Sequence, residues 1–147
     1  MSQSLLERAS AYAAARLHEV GGDVSRLPEP IQTVAVVETT QGIIDNGGLE
    51  YFFESDFPGC PPYCFFVETF RRIGAESVAS CIDESSRMFP FADPHLHEAE
   101  RRRWLDSVKR DEAHPFIQLS RRACGDEAVF SKLAEYAESH GDAYGAP

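Results

Sequence analysis

Apolar residues recur along this chain mostly at three- and four-residue steps, the period of a helix that buries one face. From about Ser4 to Val20 the chain is rich in Ala, Leu, Glu and Arg and runs into Gly21-Gly22, which predicts a helix with a glycine C-cap. A second helix is expected from about Glu29, with Pro30 in its first turn, Ile31, Val34, Val37 and Ile44 along one face, and a stop at Asn46-Gly47. Pro61-Pro62 open another, with Phe66, Phe70 and Ile73 at i, i+4 and i+7 and Gly74 at its end. The next follows at once, Val78, Ile82 and Phe89 sharing a face until Pro90. Asp93-Pro94 reads as N-cap and first residue of a helix through Lys109, and Asp126 begins a last one through Val129, Leu133 and Ala137, ending near Gly141. Only "AHPFIQLS", residues 113–120, has strand character. The predicted fold is all-α: one domain over residues 1–147, an irregular bundle of about six to eight helices with a frayed tail at 142–147.

One stretch departs from routine helical composition. "IIDNGGLEYFFESDFPG", Ile43 to Gly59, holds adjacent glycines, four aromatics and four carboxylates with no Lys or Arg. Asn46-Gly47 is the dipeptide of a type I′ hairpin, and Leu49, Tyr51 and Phe53 alternate as a strand would. The pattern before Asn46 is helical, however, and Asn and Gly also suit a helix end. The expectation is therefore helix, tight turn at Gly47-Gly48, and a short helix whose Leu49, Phe52 and Phe53 stand at i, i+3 and i+4 on the core side. Its carboxylates are then left facing outward.

Charge sharpens this picture. The formal net charge is −10. Between Arg26 and Arg71 there is no Lys or Arg, while Glu29, Glu38, Asp45, Glu50, Glu54, Asp56 and Glu68 contribute −7; residues 126–147 contribute −4. Glu50 and Glu54 repel each other at i,i+4, whereas Glu98–Arg102 and Asp106–Arg110 are favourably ordered pairs. Such a balance argues against nucleic-acid and membrane binding and for a cationic partner. No apolar run reaches the length of a membrane span, and the first residues lack the pattern of a signal peptide, so the expected location is cytoplasmic. Cys60, Cys64, Cys81 and Cys124 are then reduced thiols, with burial their default fate.

"VVETTQGIIDNGGLEYFFESDFPG", followed by "FVETFRRIGAESVASCIDESSRMFP", resembles the bacterial DNA-mimic protein family. The resemblance rests on Asn46, Gly47, Gly48, Phe52, Phe53, Ile73, Gly74, Ala75, Phe89 and Pro90, and covers roughly residues 34–90. Leu49 departs from it, since an aromatic is expected after the glycines. The resemblance implies an all-helical, non-catalytic protein whose carboxylates stand in for DNA phosphates on the DNA-binding face of a regulator. The charge map names Glu38, Asp45, Glu50, Glu54, Asp56 and Glu68 as partner-binding candidates, with Asn46, Gly47, Gly48, Phe52, Phe53 and Gly74 keeping the fold. The competing reading is that Arg71, Arg72, Arg101, Arg102 or Arg103 folds over the acids within the domain.

Other chemistry is poorly represented. Cys60-Pro-Pro-Tyr-Cys64 lacks the spacing of a redox pair or zinc site, His95-Leu-His97 on a helix would point its imidazoles apart, and Asp45 to Glu50 fails the calcium-loop pattern. No metal or cofactor is expected. Two rivals to the mimic stay open: an immunity protein neutralising a cationic toxin, and a carboxylate-dependent hydrolase using a pair among Asp45, Glu50, Glu54 and Asp56. In the first two readings the partner is a basic protein surface, and homodimerisation is left open.

Overall fold

The computed structural model describes residues 4–145, which form seven α-helices and, among the described residues, no strand. Helix α1 (Leu5–Glu19) starts at Ser4, whose hydroxyl accepts the Glu7 N–H, and closes where the Gly22 N–H meets the Leu17 carbonyl at 2.9 Å. Helix α2 (Glu29–Glu54) begins with proline in its first turn and carries Ile31, Val34, Val37, Ile44, Leu49, Phe52 and Phe53 into the core. It contacts α1, α3 (Tyr63–Arg72), α5 (Glu98–Val108), α6 (Pro115–Ala123) and α7 (Ala128–Ser139), so its apolar face is the wall on which the others assemble. Helix α4 (Glu76–Ser86) folds back onto α3 across Gly74, where the Ala75 N–H closes on the Phe70 carbonyl.

The chain does not leave the helix at Asn46-Gly47. Both residues remain helical, and the break falls on Gly48 alone, at φ 74° and ψ −174°, a backbone conformation essentially reserved for glycine. The tight two-glycine turn is thus a single-residue kink inside α2. The hairpin reading is excluded, because Leu49 to Glu54 are helical. The break leaves the Leu49 N–H without a helical acceptor, and Ser120 Oγ of α6 accepts it at 2.9 Å.

Three further expectations are corrected. "AHPFIQLS" lies mostly in α6: His114 Nδ1 accepts the Phe116 N–H as N-cap, and Phe116, Leu119, Ser120 and Ala123 are buried at helical spacing. The helix expected from Pro94 is interrupted, with a 3₁₀ turn at Pro94–Leu96, a non-helical His97 and α5 starting at Glu98; Asp93 is left-handed and makes no cap bond. Residues 141–144, expected to fray, form a 3₁₀ helix that buries Tyr144, whose hydroxyl donates to the Pro30 carbonyl at 3.2 Å. Positions 146 and 147 of that tail lie outside the described residues.

The core is aromatic where α2 ends. Phe53 meets Tyr63 edge-on at 4.8 Å and Phe89 at 5.2 Å, Phe52 meets Phe66 at 5.1 Å, and Trp104 joins Phe89 at 4.8 Å. Phe89 lies beyond the end of α4, not on its face, yet is buried in this cluster. Each such ring contributes about 2–3 kcal/mol through burial, with about 0.5–1.5 kcal/mol more per well-oriented pair. Leu49, in place of the aromatic of the resemblance, is also fully buried.

Of the three glycines of α2, Gly48 and Gly42 should respond oppositely to alanine. At Gly48 a methyl group would collide with the Glu50 carboxylate and lie 2.5 Å from Ser120 Oγ, so Gly48→Ala is expected to lose about 2–3 kcal/mol in urea unfolding. At Gly42 a methyl group meets nothing within 4 Å, so Gly42→Ala is expected to gain about 0.5–1 kcal/mol.

Candidate functional site

The kink at Gly48 sets the direction of the acids that follow it. With Leu49, Phe52 and Phe53 turned inward, Glu50 and Glu54 lie on the flank of α2 that faces α6 and α5. Ser120 Oγ, having accepted the Leu49 N–H, donates to Glu50 Oε2 at 2.7 Å. One turn before the kink, Asp45 Oδ1 accepts from Gln41 Nε2 at 2.8 Å and from the Gly125 N–H at 2.7 Å. Asp45 and Glu50 therefore fasten α2 to α6 and to the turn after it, using neutral donors only. Between them Cys124 donates its thiol to the Ile44 carbonyl, and burial, with Asp45 and Glu50 nearby, pushes its pKa up.

The last turn of α2 contains no basic residue, so its terminal carbonyls need partners from elsewhere. Ser55 supplies two, its hydroxyl donating to the Tyr51 carbonyl and its N–H to that of Phe52. Helix α5 supplies the others: Arg101 Nε donates to the Phe53 carbonyl at 2.9 Å and Arg102 Nη2 to that of Glu54 at 3.1 Å. Arg101 is 1% exposed, and its remaining nitrogens reach the Pro94 carbonyl at 2.8 Å and Asp56 Oδ1 at 2.6 Å. The Pro94 carbonyl is thus drawn into holding the guanidinium just where the expected helix is interrupted. Arg101, by its hydrogen bond and its charge, holds the Asp56 carboxyl below its ordinary pKa, opposed by partial burial. Glu54 pairs with Lys109.

The six candidate acids are therefore not one free cluster. Glu54 and Asp56 are compensated within the chain, as is Glu29, paired with Arg72 at 2.6 Å. Glu38 accepts from Ser10 of α1, and Glu68 is exposed on α3; among the described residues neither these two nor Asp45 and Glu50 take part in an ion pair. Asp56 is exposed, and its carboxylate also holds a buried guanidinium, so it serves the fold as well. Arg101 was legible only as one of five arginines able to fold over the acids, while Lys109 and Ser120 carried no signal of their roles. Tyr51, beside Glu50, is 49% exposed and lies on the rim of this face.

Among the described residues no group of three or more His, Cys, Asp or Glu side chains is gathered to hold a metal ion. His95 and His97 lie outside α5 and turn to different rings, Tyr63 and Phe91. Cys81 is buried with a raised pKa, but Cys60 and Cys64 are exposed, against the burial expected of them. No helix among the described residues is long and apolar enough to cross a membrane.

This is an acidic, all-α chain of net charge −10 with an acidic flank built on a kinked central helix. The family model described as DMP19-like protein matches residues 25–140, and the chain belongs to that family, the DNA-mimic family of the sequence resemblance. No curated protein and no solved structure matches it.

The Asp56–Arg101 bond has a pH signature. A carboxyl whose folded pKa lies below its unfolded value of about 3.9 adds stability above that pH and loses it as pH falls through the folded pKa. Asp56→Asn leaves a buried guanidinium facing an amide; because Asp56 is itself half exposed and solvent screens the pair, the expected cost at pH 7 is about 1 kcal/mol. The gap between wild type and variant, followed by urea unfolding, should close as pH drops below about 3.9.

Proposed function

We propose that this chain is a non-catalytic acidic interaction module that occupies the cationic DNA-contacting face of a basic protein in the cytoplasm. The observation that carries this reading is the segment between Arg26 and Arg71, devoid of Lys and Arg, in which Glu38, Asp45, Glu50 and Glu68 keep no ion pair among the described residues. Family membership supports a DNA-mimic role at that level. Asp45 and Glu50 flank the kink and keep their charge uncancelled. Their hydrogen bonds to the Gly125 N–H and to Ser120 hold both carboxylates in place before the partner arrives, which reduces the ordering cost of binding. A cavity of about 470 Å³ lies elsewhere, bordered by Glu29, Arg72, Lys132 and His140, and none of the six candidate acids lines it. That separation favours a binding surface over a carboxylate-based hydrolase.

The test leaves the acids that pair with a cation inside the chain untouched. Glu38→Gln, Glu50→Gln and Glu68→Gln together retain side-chain acceptors for Ser10 and Ser120, so the far-UV spectrum should not change. The partner is first captured from the native host on immobilised wild type at low salt and identified by mass spectrometry. The triple variant is expected to bind it at least about tenfold more weakly. Wild-type affinity should fall steeply with salt as the Debye length shrinks from about 10 Å at 0.1 M to about 3 Å at 1 M. Duplex DNA should displace the partner. Simultaneous occupancy by duplex DNA and this protein would end the mimic reading and leave the immunity role, in which a cationic toxin need have no duplex site at the shared surface.

A further inference from the structure

Two adjacent glycines of α2 give their side-chain space to two adjacent residues. At Gly48 that space is taken by Glu50 Oε2, and at Gly47 by Tyr51, whose Cβ and Cγ lie 2.6 and 2.9 Å from where a methyl group would stand. On a straight helix, Cβ atoms four residues apart are separated by about 5–6 Å, so the close approach of Tyr51 to Gly47 is the work of the kink between them. Gly48 must be glycine for its backbone. Gly47 is helical, where glycine is less stable than alanine, and the room that Tyr51 occupies accounts for its missing side chain.

The Tyr51 ring is thus braced against the helix yet 49% exposed. Among the described residues it is one of three large hydrophobic side chains left exposed, with Leu96 and Phe130, and the one of the three on α2. Beside it, Glu50 gives Oε2 to Ser120 and, among the described residues, takes part in no ion pair. A fixed ring next to a fixed, uncancelled carboxylate offers a cation two contacts at once: the negative face of the ring and an acceptor oxygen. Lysine and arginine use such a pair differently. An ammonium is a compact, strongly hydrated point charge, whereas a guanidinium is planar and weakly hydrated, and can stack on a ring while its N–H edge meets a carboxylate.

We propose that Tyr51 is the specificity-determining residue of the acidic face: its ring seats an arginine of the partner, whose guanidinium edge pairs with Glu50. The face thereby selects arginine-rich over lysine-rich basic surfaces. This role rests on the α2 flank being the partner-binding face, and it matches the arginines that DNA-binding proteins turn toward phosphates.

The test titrates the ¹⁵N-labelled full-length protein at low salt with acetylated, amidated tetra-arginine and, separately, with tetra-lysine. Wild type should bind tetra-arginine more tightly, with saturable shifts at Glu50 and Tyr51 and Overhauser contacts between the Tyr51 ring and arginine δ-methylenes. Tyr51→Leu should keep the far-UV spectrum, bind tetra-arginine about two- to fivefold more weakly and bind tetra-lysine nearly as before. Tyr51→Phe keeps the ring and should bind both peptides as wild type does. Absence of saturable tetra-arginine shifts at Tyr51 in the wild type, equal tetra-arginine affinity in wild type and Tyr51→Leu, or an equal loss for both peptides overturns the role of the ring. Failure of the acidic face itself has a different signature: Glu38→Gln, Glu50→Gln and Glu68→Gln together would bind both peptides as tightly as wild type, which also overturns the pairing with Glu50.

Discussion

The arrangement depends on one buried cation. Helix α2 ends with its carbonyls pointing at α5 and with no basic residue of its own to meet them, and Arg101 enters from α5 to accept that task. A guanidinium has five donors in a rigid plane, and this one directs three of them to the Phe53 carbonyl, the Pro94 carbonyl and the Asp56 carboxylate. Burying a charge is costly unless it is paired and hydrogen-bonded, and both conditions are met here. The same side chain therefore stops α2, holds the loop after it, and sets the interruption before α5. Phe53 and Phe89, whose rings complete the aromatic cluster, are positioned by the two segments that Arg101 ties together.

The acids of α2 and of the loop after it serve the fold. Asp45 holds the turn at Gly125, Glu50 anchors to Ser120, and Asp56 neutralises Arg101. Gly48 makes this arrangement workable. Its kink rotates the final turns of α2 so that three apolar side chains enter the core while Glu50 meets α6, and Ser120 serves both the N–H freed by the kink and the carboxylate beside it. Glu38, Asp45 and Glu50 are thus held by neutral hydrogen bonds that leave their charge uncancelled, while Glu68 is exposed on α3. A charged surface of this kind gains from such rigidity, because carboxylates already fixed in place lose little freedom when a cationic face arrives.

Much of the architecture was legible from local rules. The glycine stop at Gly21-Gly22, the prolines opening α3, the end at Gly74 and the inward face of Leu49, Phe52 and Phe53 follow from spacing and backbone preference, which act over a few residues. The family motif was legible for the same reason, being made of residues that keep the fold. Errors arose where a local signal was shared by two outcomes. Phe116 and Leu119 in a short apolar run can belong to a strand or a helix, and the His114 cap and burial against α2 and α4 decided for the helix.

What the sequence determined by itself was an all-α chain, the helix that carries the acidic segment, and a net charge seeking cationic partners, because periodicity, capping and composition need no knowledge of what lies across the core. Only the tertiary structure decided which acids remain free. Arg101, Arg102 and Arg103 are indistinguishable as a string, but successive helical residues point about 100° apart, so one of them enters the core while its neighbours stay exposed. Asp56 and Arg101 are 45 residues apart in the chain, and no local rule couples them. Their pairing, like that of Glu54 with Lys109, exists because α5 packs across the end of α2, and Coulomb attraction acts on distance in space, not along the sequence.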